Sequence, residues 1–317
     1  MAQDYAPEWL EVEKELGRPV PSHDPNPETK RPPIDARFKR LAAQWQPQIQ
    51  SVKTRDEKVN DNVTARVYTP EATGSLPVGV FLHGGGFVAG NLDSEDPQCR
   101  YIAHHVPCIV VSVAYRLVPA PADIMVDDCV AGYDWAWQHA EQLGGNPQKM
   151  FVTGGSAGGH LSFAVTDRLV GNPATRNHIQ GCVIYFPLLL HPETVPQAYQ
   201  HLYKSRAEND PDARFLDTKS NYIIFNQYGF HADNPGHFPL TGNNLDKFPP
   251  TWIATGGKDV LRDDGTIAEA MLKDIGVPVA RVNYPGLPHF FHIYPPLEKR
   301  ITFMEDLVKG VGYVLSA

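Results

Sequence analysis

The sequence predicts an α/β domain built on a mostly parallel sheet, and three observations carry that prediction. Apolar strand-like runs alternate with helical stretches through most of the chain, which is the pattern of a sheet covered by helices on both faces. One such run, Met150-Phe151-Val152-Thr153, passes without a linker into Gly154-Gly155-Ser156-Ala157-Gly158-Gly159-His160. The side chains able to serve that serine follow other strands, in the order serine, aspartate, histidine.

Size and composition set the bounds. The 317 residues suit one core with an added cap, because α/β folds of about 250–300 residues commonly stay one domain. We divide them into N-terminal cap and strap helices over 1–48 and a catalytic domain over 49–317, with 187–250 as an inserted cap segment. Hydrophobic residues at 42% and charged residues at 20% describe an ordinary globular protein. A net charge of −8 disfavours nucleic acid and anionic membrane surfaces, both of which select for basic faces. Cys99, Cys108, Cys129 and Cys182 lack the close pairing of a zinc or redox motif, so reduced, buried thiols are expected, with no metal and no cofactor. Met1-Ala2-Gln3-Asp4-Tyr5 does not read as a basic region ahead of an apolar one. No run reaches the roughly 18 apolar residues of a membrane span, and a cytoplasmic location is expected. A homodimer is left open.

The elements follow in order. Pro7 to Gly17 reads as a helix presenting Trp9, Leu10, Val12 and Leu16, with Gly17 ending it. Arg18 to Pro33 holds six prolines, which remove backbone donors and predict an extended surface strap. A second helix is expected from Asp35 to Gln46, stopped by Pro47, with Phe38, Leu41, Ala42 and Trp45 on one side. These two helices suit either part of a lid or plain packing on the core. From Val52 the period becomes two, and Val63, Ala65 and Val67 read as a half-exposed antiparallel strand at a sheet edge. Val78 to Leu82 and Cys108 to Ala114 are continuous apolar strands, followed by a helix over 124–142 and the strand entering Ser156. Strands are also expected over 181–186, 251–255 and 277–284, with a last helix over 297–315. The stretch 187–250 is too long for a structureless loop, since compact domains seldom exceed about 15 residues. It should enclose a pocket, with one helix near Phe215 to Phe225.

The chemistry starts from the serine. Gly154 and Gly158 flank Ser156 at two residues on each side, keeping β-carbons out of a turn tight enough to raise the hydroxyl. Serine is a poor nucleophile unless a base takes its proton and a third group orients that base. Asp259 follows the strand over 251–255 through a glycine turn, at the sheet edge where ligands collect in open α/β folds. Asp263 and Asp264 read as first-turn carboxylates of the next helix. His289 follows the last strand through Pro285-Gly286-Leu287-Pro288 and is favoured as base over its rival His292. Acyl transfer also builds charge on a carbonyl oxygen, which fixed donors stabilise by several kcal/mol. The amides of Gly85 and Gly86, in His83-Gly84-Gly85-Gly86-Phe87, and of Ala157 suit that role, with His83 as a structural hydrogen-bonding residue.

Five blocks now stand in one order: His83-Gly84-Gly85-Gly86-Phe87, Tyr115-Arg116-Leu117-Val118-Pro119, Gly154-Gly155-Ser156-Ala157-Gly158-Gly159, Asp259-Val260-Leu261-Arg262-Asp263 and Tyr284-Pro285-Gly286-Leu287-Pro288-His289. On them the chain resembles the hormone-sensitive-lipase-like, or family IV, branch of the α/β-hydrolases. The resemblance implies a mostly parallel eight-stranded sheet, a helical cap, and hydrolysis of carboxylic esters with short to medium acyl groups. It implies Ser156 as nucleophile, His289 as base and then acid, Asp259 as orienting carboxylate, and Gly85, Gly86 and Ala157 as oxyanion donors. Three departures stand out: Gly155 where that family often has an acid or threonine, Val118-Pro119-Ala120-Pro121 for its usual Ala-Pro-Glu-His, and Phe290 for the glycine after the histidine. Phe87, Tyr185, Phe186, Phe290 and Phe291 would then line an aromatic pocket for a bulky ester, such as an acylated secondary metabolite. Two other readings share the scaffold: a lyase, cyclase or acyltransferase, and a small-molecule receptor. Relatives resembling isoflavanone dehydratases carry threonine at the serine, and gibberellin receptors lack the histidine, so Ser156 with His289 favours hydrolysis.

Overall fold

The computed structural model describes residues 4–45 and 49–316. The Gln46 and Pro47 expected to end the second helix lie outside them, as do Met1, Ala2 and Gln3 at the head of the N-terminal stretch. Eight strands form one sheet: β1 (Lys53–Lys58), β2 (Thr64–Thr69), β3 (Leu76–Leu82), β4 (Ile109–Ala114), β5 (Gly145–Gly155), β6 (Gly181–Tyr185), β7 (Thr251–Gly256) and β8 (Val279–Tyr284). Their order is β1-β2-β4-β3-β5-β6-β7-β8. Only β2 runs against its neighbours, β1 and β4; every pair from β4 to β8 is parallel. The strand expected at the edge is β2, one place in, and β1 forms the border. Nearly every residue of Lys53–Lys58 is exposed, so this strand carries no apolar alternation to reveal it.

Alternate residues of the central strands feed two cores. Val80, Leu82, Val111, Val152, Ile184 and Ile253 pack on one face, under α4 (Ala122–His139), α5 (Ala157–Gly171) and α8 (Arg262–Asp274). Phe81, Val110, Phe151, Val183, Tyr185 and Trp252 pack on the other, under α3 (Asp96–His105) and α9 (Lys299–Ser316). Burial on both faces explains why these strands read as continuous apolar runs.

The N-terminal segment adds α1 (Pro7–Leu16) and α2 (Pro27–Ala43) to the second core. Trp9 is fully buried, 5.2 Å from the ring of Tyr294, whereas Leu10 stays 40% exposed. The proline-rich strap is extended only in its first half, because α2 begins eight residues before the expected Asp35. Asn26 caps it by accepting from the amide of Glu28, and Pro27 occupies its first position, where a missing N–H costs nothing. Pro32 and Pro33 lie inside the helix, a placement that propensity alone argues against.

The inserted stretch contains α6 (Ser205–Asn209), α7 (Thr218–Gln227) and short 3-10 turns. The helix expected near Phe215 starts at Thr218, because Asp217 and Ser220 cap one another's backbone amides.

Candidate active site

The register brings the working loops to one rim. Leu82 is level with Gly154, Gly155 with Tyr185, and Gly256 with Tyr284, so the segments leaving β3, β5, β7 and β8 emerge side by side at the carboxyl edge.

Ser156 links β5 to α5 with φ 55° and ψ −119°, a left-handed strand-to-helix turn that lifts its hydroxyl clear. A methyl group on Gly154 or Gly158 would overlap the carbonyl oxygen of Leu82, which is the steric reason for both glycines. His289, buried after β8, presents Nε2 at 2.9 Å from Ser156 Oγ and Nδ1 at 2.7 Å from Asp259 Oδ2. The carboxylate only accepts, so Nδ1 carries the proton and Nε2 is free to take the hydroxyl proton. Asp259 is buried, and its second oxygen accepts from the amide of Leu261 at 2.9 Å.

The amides of Gly85, Gly86 and Ala157 have no protein acceptor among the described residues, and all three residues line the cavity that holds Ser156 and His289. Gly85 and Gly86 have φ of 125° and 64°, backbone that a side chain would strain. The loop is braced from behind. His83, with its pKa pushed down to about 4 by burial, donates from Nδ1 to Gly84 O at 2.9 Å and stacks on Tyr115. Glu95 accepts from the Gly84 amide at 2.7 Å. Its carboxyl is pushed up to about 7 by complete burial, against the lowering effect of that amide. Sequence reasoning did not pick out Glu95; a lone acid ahead of a helix looks like any first-turn carboxylate.

The rival base is elsewhere. His292 is wholly buried, donates from Nε2 to Gln98 Oε1 at 3.1 Å, and stacks on Phe186. Burial holds it well below the usual imidazole range. Asp263 and Asp264 do lie in the first turn of α8. Asp264 accepts from the amides of Leu189 and Leu190, and Asp263 from those of Lys204 and Ser205.

A cavity of about 430 Å³ opens over Ser156, within the range typical of small-molecule pockets. Phe87 and Phe290 line it. Tyr185, Phe186 and Phe291 do not. They are fully buried, with Tyr185 accepting from Gln98 and Phe186 and Phe291 packed on Phe303. Strand-end aromatics can face the ligand or the layer beneath, and only the packing of α3 and α9 decides which. The walls come from the N-terminal segment, through Val20, Lys30, Ile34 and Phe38, and from the insertion, through Phe215 and Ile224.

A family model for the α/β-hydrolase fold matches residues 79–293. The chain is 33% identical to the versiconal hemiacetal acetate esterase of Dothistroma septosporum, across 100% of this chain and 97% of that one. It is 34% identical to a carboxylesterase of Mycobacterium tuberculosis over 72% of this chain and 70% of the relative. This chain belongs to the hormone-sensitive-lipase-like α/β-hydrolases. It is a serine hydrolase of carboxylic esters. Among solved structures, a vibralactone cyclase superposes on this hydrolase with a TM-score of 0.86 and 26% identity, over 99% of this chain and 96% of the other. The four cysteines are buried and free. Among the described residues no helix is long and apolar enough to cross a membrane.

Proposed function

We propose that Ser156, relayed by His289 and Asp259, hydrolyses small, bulky esters through an acyl-enzyme, the amides of Gly85, Gly86 and Ala157 holding the oxyanion. The observation that carries this is the pair of contacts, 2.9 Å and 2.7 Å, at the floor of the cavity. In the forward step Ser156 Oγ adds to the ester carbon as Nε2 takes its proton. The imidazolium, steadied by Asp259, then protonates the departing alcohol; water repeats the cycle to free the acid. The substrate class is an acylated, ring-bearing metabolite. Support comes from the aromatic and aliphatic walls and from the esterase of Dothistroma septosporum, whose name specifies a hemiacetal acetate. The cap is the N-terminal segment with the insertion, both of which contribute walls, and the setting is cytoplasmic.

A serine-directed phosphonate should label Ser156, and p-nitrophenyl esters should show burst release. Ser156→Ala should lower kcat by roughly 10⁴-fold or more. Among esters of two to sixteen carbons the preference should fall below about ten, because a pocket of this size has finite length. Retained native turnover in Ser156→Ala would overturn the proposal. The cyclase likeness favours a second reading, capture of the acyl-enzyme by an alcohol of the same substrate instead of water. Turnover in ¹⁸O-labelled water separates the two, since only hydrolysis places the label in the product acid.

A further inference from the structure

The cavity wall carries a charge that the ester chemistry leaves unused. Lys30, in the first turns of α2, is only 6% exposed and lines the same cavity as Ser156. Among the described residues its ammonium has no hydrogen bond and no ion pair within 4.0 Å, although most of the wall around it is apolar. The nearest carboxylates favour its charge without bonding it. Asp24 accepts from Thr29 Oγ1 and the Asn26 amide. Asp217 accepts from Ser220 and contacts His23 at 2.6 Å. Arg37 also lines the cavity, its guanidinium 5.9 Å from the ring of Phe215.

A second unsatisfied group stands on another wall. Asn221 of α7 is fully buried, lines the cavity, and has no partner for either side-chain oxygen or nitrogen. Burying an amide without hydrogen bonds carries a free-energy cost, and an ammonium facing an apolar wall without a partner is likewise left short of bonds. Two segments distant in sequence thus each leave a polar group unsatisfied in one apolar pocket, the arrangement that orients a ligand.

We infer that Lys30 and Asn221 form a polar subsite for a second oxygen of the substrate, so that the preferred ester carries a hydroxyl away from the scissile bond. Such a hydroxyl accepts from Lys30 Nζ and donates to Asn221 Oδ1, using both groups at once; its ionised form uses Lys30 and the Asn221 amide nitrogen. This rests on the esterase reading of the same cavity.

The test compares kcat/KM for 6-hydroxy-2-naphthyl acetate with that for 6-methyl-2-naphthyl acetate, which has similar bulk and no second oxygen. The native chain should favour the hydroxyl ester by about tenfold or more, since a site built for a hydroxyl discriminates against its absence. Lys30→Met and Asn221→Leu should each cut that ratio by about tenfold, and Lys30→Arg should keep most of it. Lys30→Gln covers a Lys30→Met chain that does not fold. A ratio near one in the native chain, or one unchanged by Lys30→Met or Lys30→Gln, overturns the subsite. A binding readout separates it from the esterase reading. On Ser156→Ala, 2,6-dihydroxynaphthalene should bind tighter than 2-naphthol, and adding Lys30→Met should abolish the difference, whether or not any ester is turned over.

Discussion

Phe290 shows how one side chain reshapes its neighbours. Its backbone is left-handed, with φ 56°, a conformation that glycine enters without cost and phenylalanine does not. The ring fills the space that a β-carbon on Gly84 or Gly155 would need, and Tyr185 closes the rest of the room at Gly155. Tyr185 and Phe290 together leave room only for a bare glycine beside Ser156, Tyr185 being the nearer of the two. Gly155→Ala should destabilise the fold by about 1–3 kcal/mol by overpacking, read as a lowered urea midpoint. Glu95 acts at the same scale, because its carboxylate is the acceptor for the buried Gly84 amide. Removing that acceptor leaves the buried amide unsatisfied, at a cost of about 1–3 kcal/mol. Glu95→Ala should thus lower kcat by about tenfold or more while KM moves less than twofold, as expected for donors that matter most in the transition state. A raised KM with unchanged kcat would show that Glu95 does not position the oxyanion loop.

Elements of the two segments that wall the cavity also hold the loops around Ser156 and Asp259. On α2, Arg31 donates to the carbonyls of Val88 and Val118, and Asp35 accepts from the Gly90 amide. The glycine-rich loop is thereby fastened to the segment that walls the cavity. From the insertion, α6 docks on the loop carrying Asp259. Asn209 Nδ2 donates to the carbonyls of Asp259 and Gly257, Ser205 Oγ donates to Val260 O, and Arg262 pairs with Glu208. Residues 187–250 thus brace the Asp259 loop as well as walling the cavity. Asn209→Ala removes two buried bonds of about 1 kcal/mol each. It should cost about 1–3 kcal/mol of stability in urea melts and lower kcat several-fold. A variant with native kcat would show that α6 supports only the fold.

Across the whole molecule, two buried acids tie stability to pH. Burial pushes the carboxyl of Glu95 from an ordinary 4.5 to about 7, and that of Asp264 from 3.8 to about 7. Between the unfolded and folded values the native state binds more protons than the unfolded chain, so the contribution of these groups is full below about pH 4 and lost as pH rises through 7. The unfolding free energy should carry a declining component between pH 5 and 7.5. Glu95→Gln, which cannot titrate, should flatten it by on the order of 1–3 kcal/mol. An unchanged pH slope in that variant would rule the linkage out.

Local sterics and two-sided burial are written along the chain, and the features they dictate can be read there. Gly154 and Gly158 are needed wherever a strand turns sharply into a helix, and strands such as Val78 to Leu82 can only be apolar throughout when both faces are covered. Those local demands made the fold class, Ser156, and the candidates Asp259 and His289 legible. Packing between distant segments settled the rest, which only the folded molecule reveals. It placed the exposed strand Lys53–Lys58 at the border, carried α2 through two prolines, buried Tyr185 and Phe186 away from the cavity, and set Glu95, Asn209 and Lys30 around the site. Such positions leave no periodic trace, because a buried acid, amide or lysine is specified by what lies across from it and not by its neighbours along the chain.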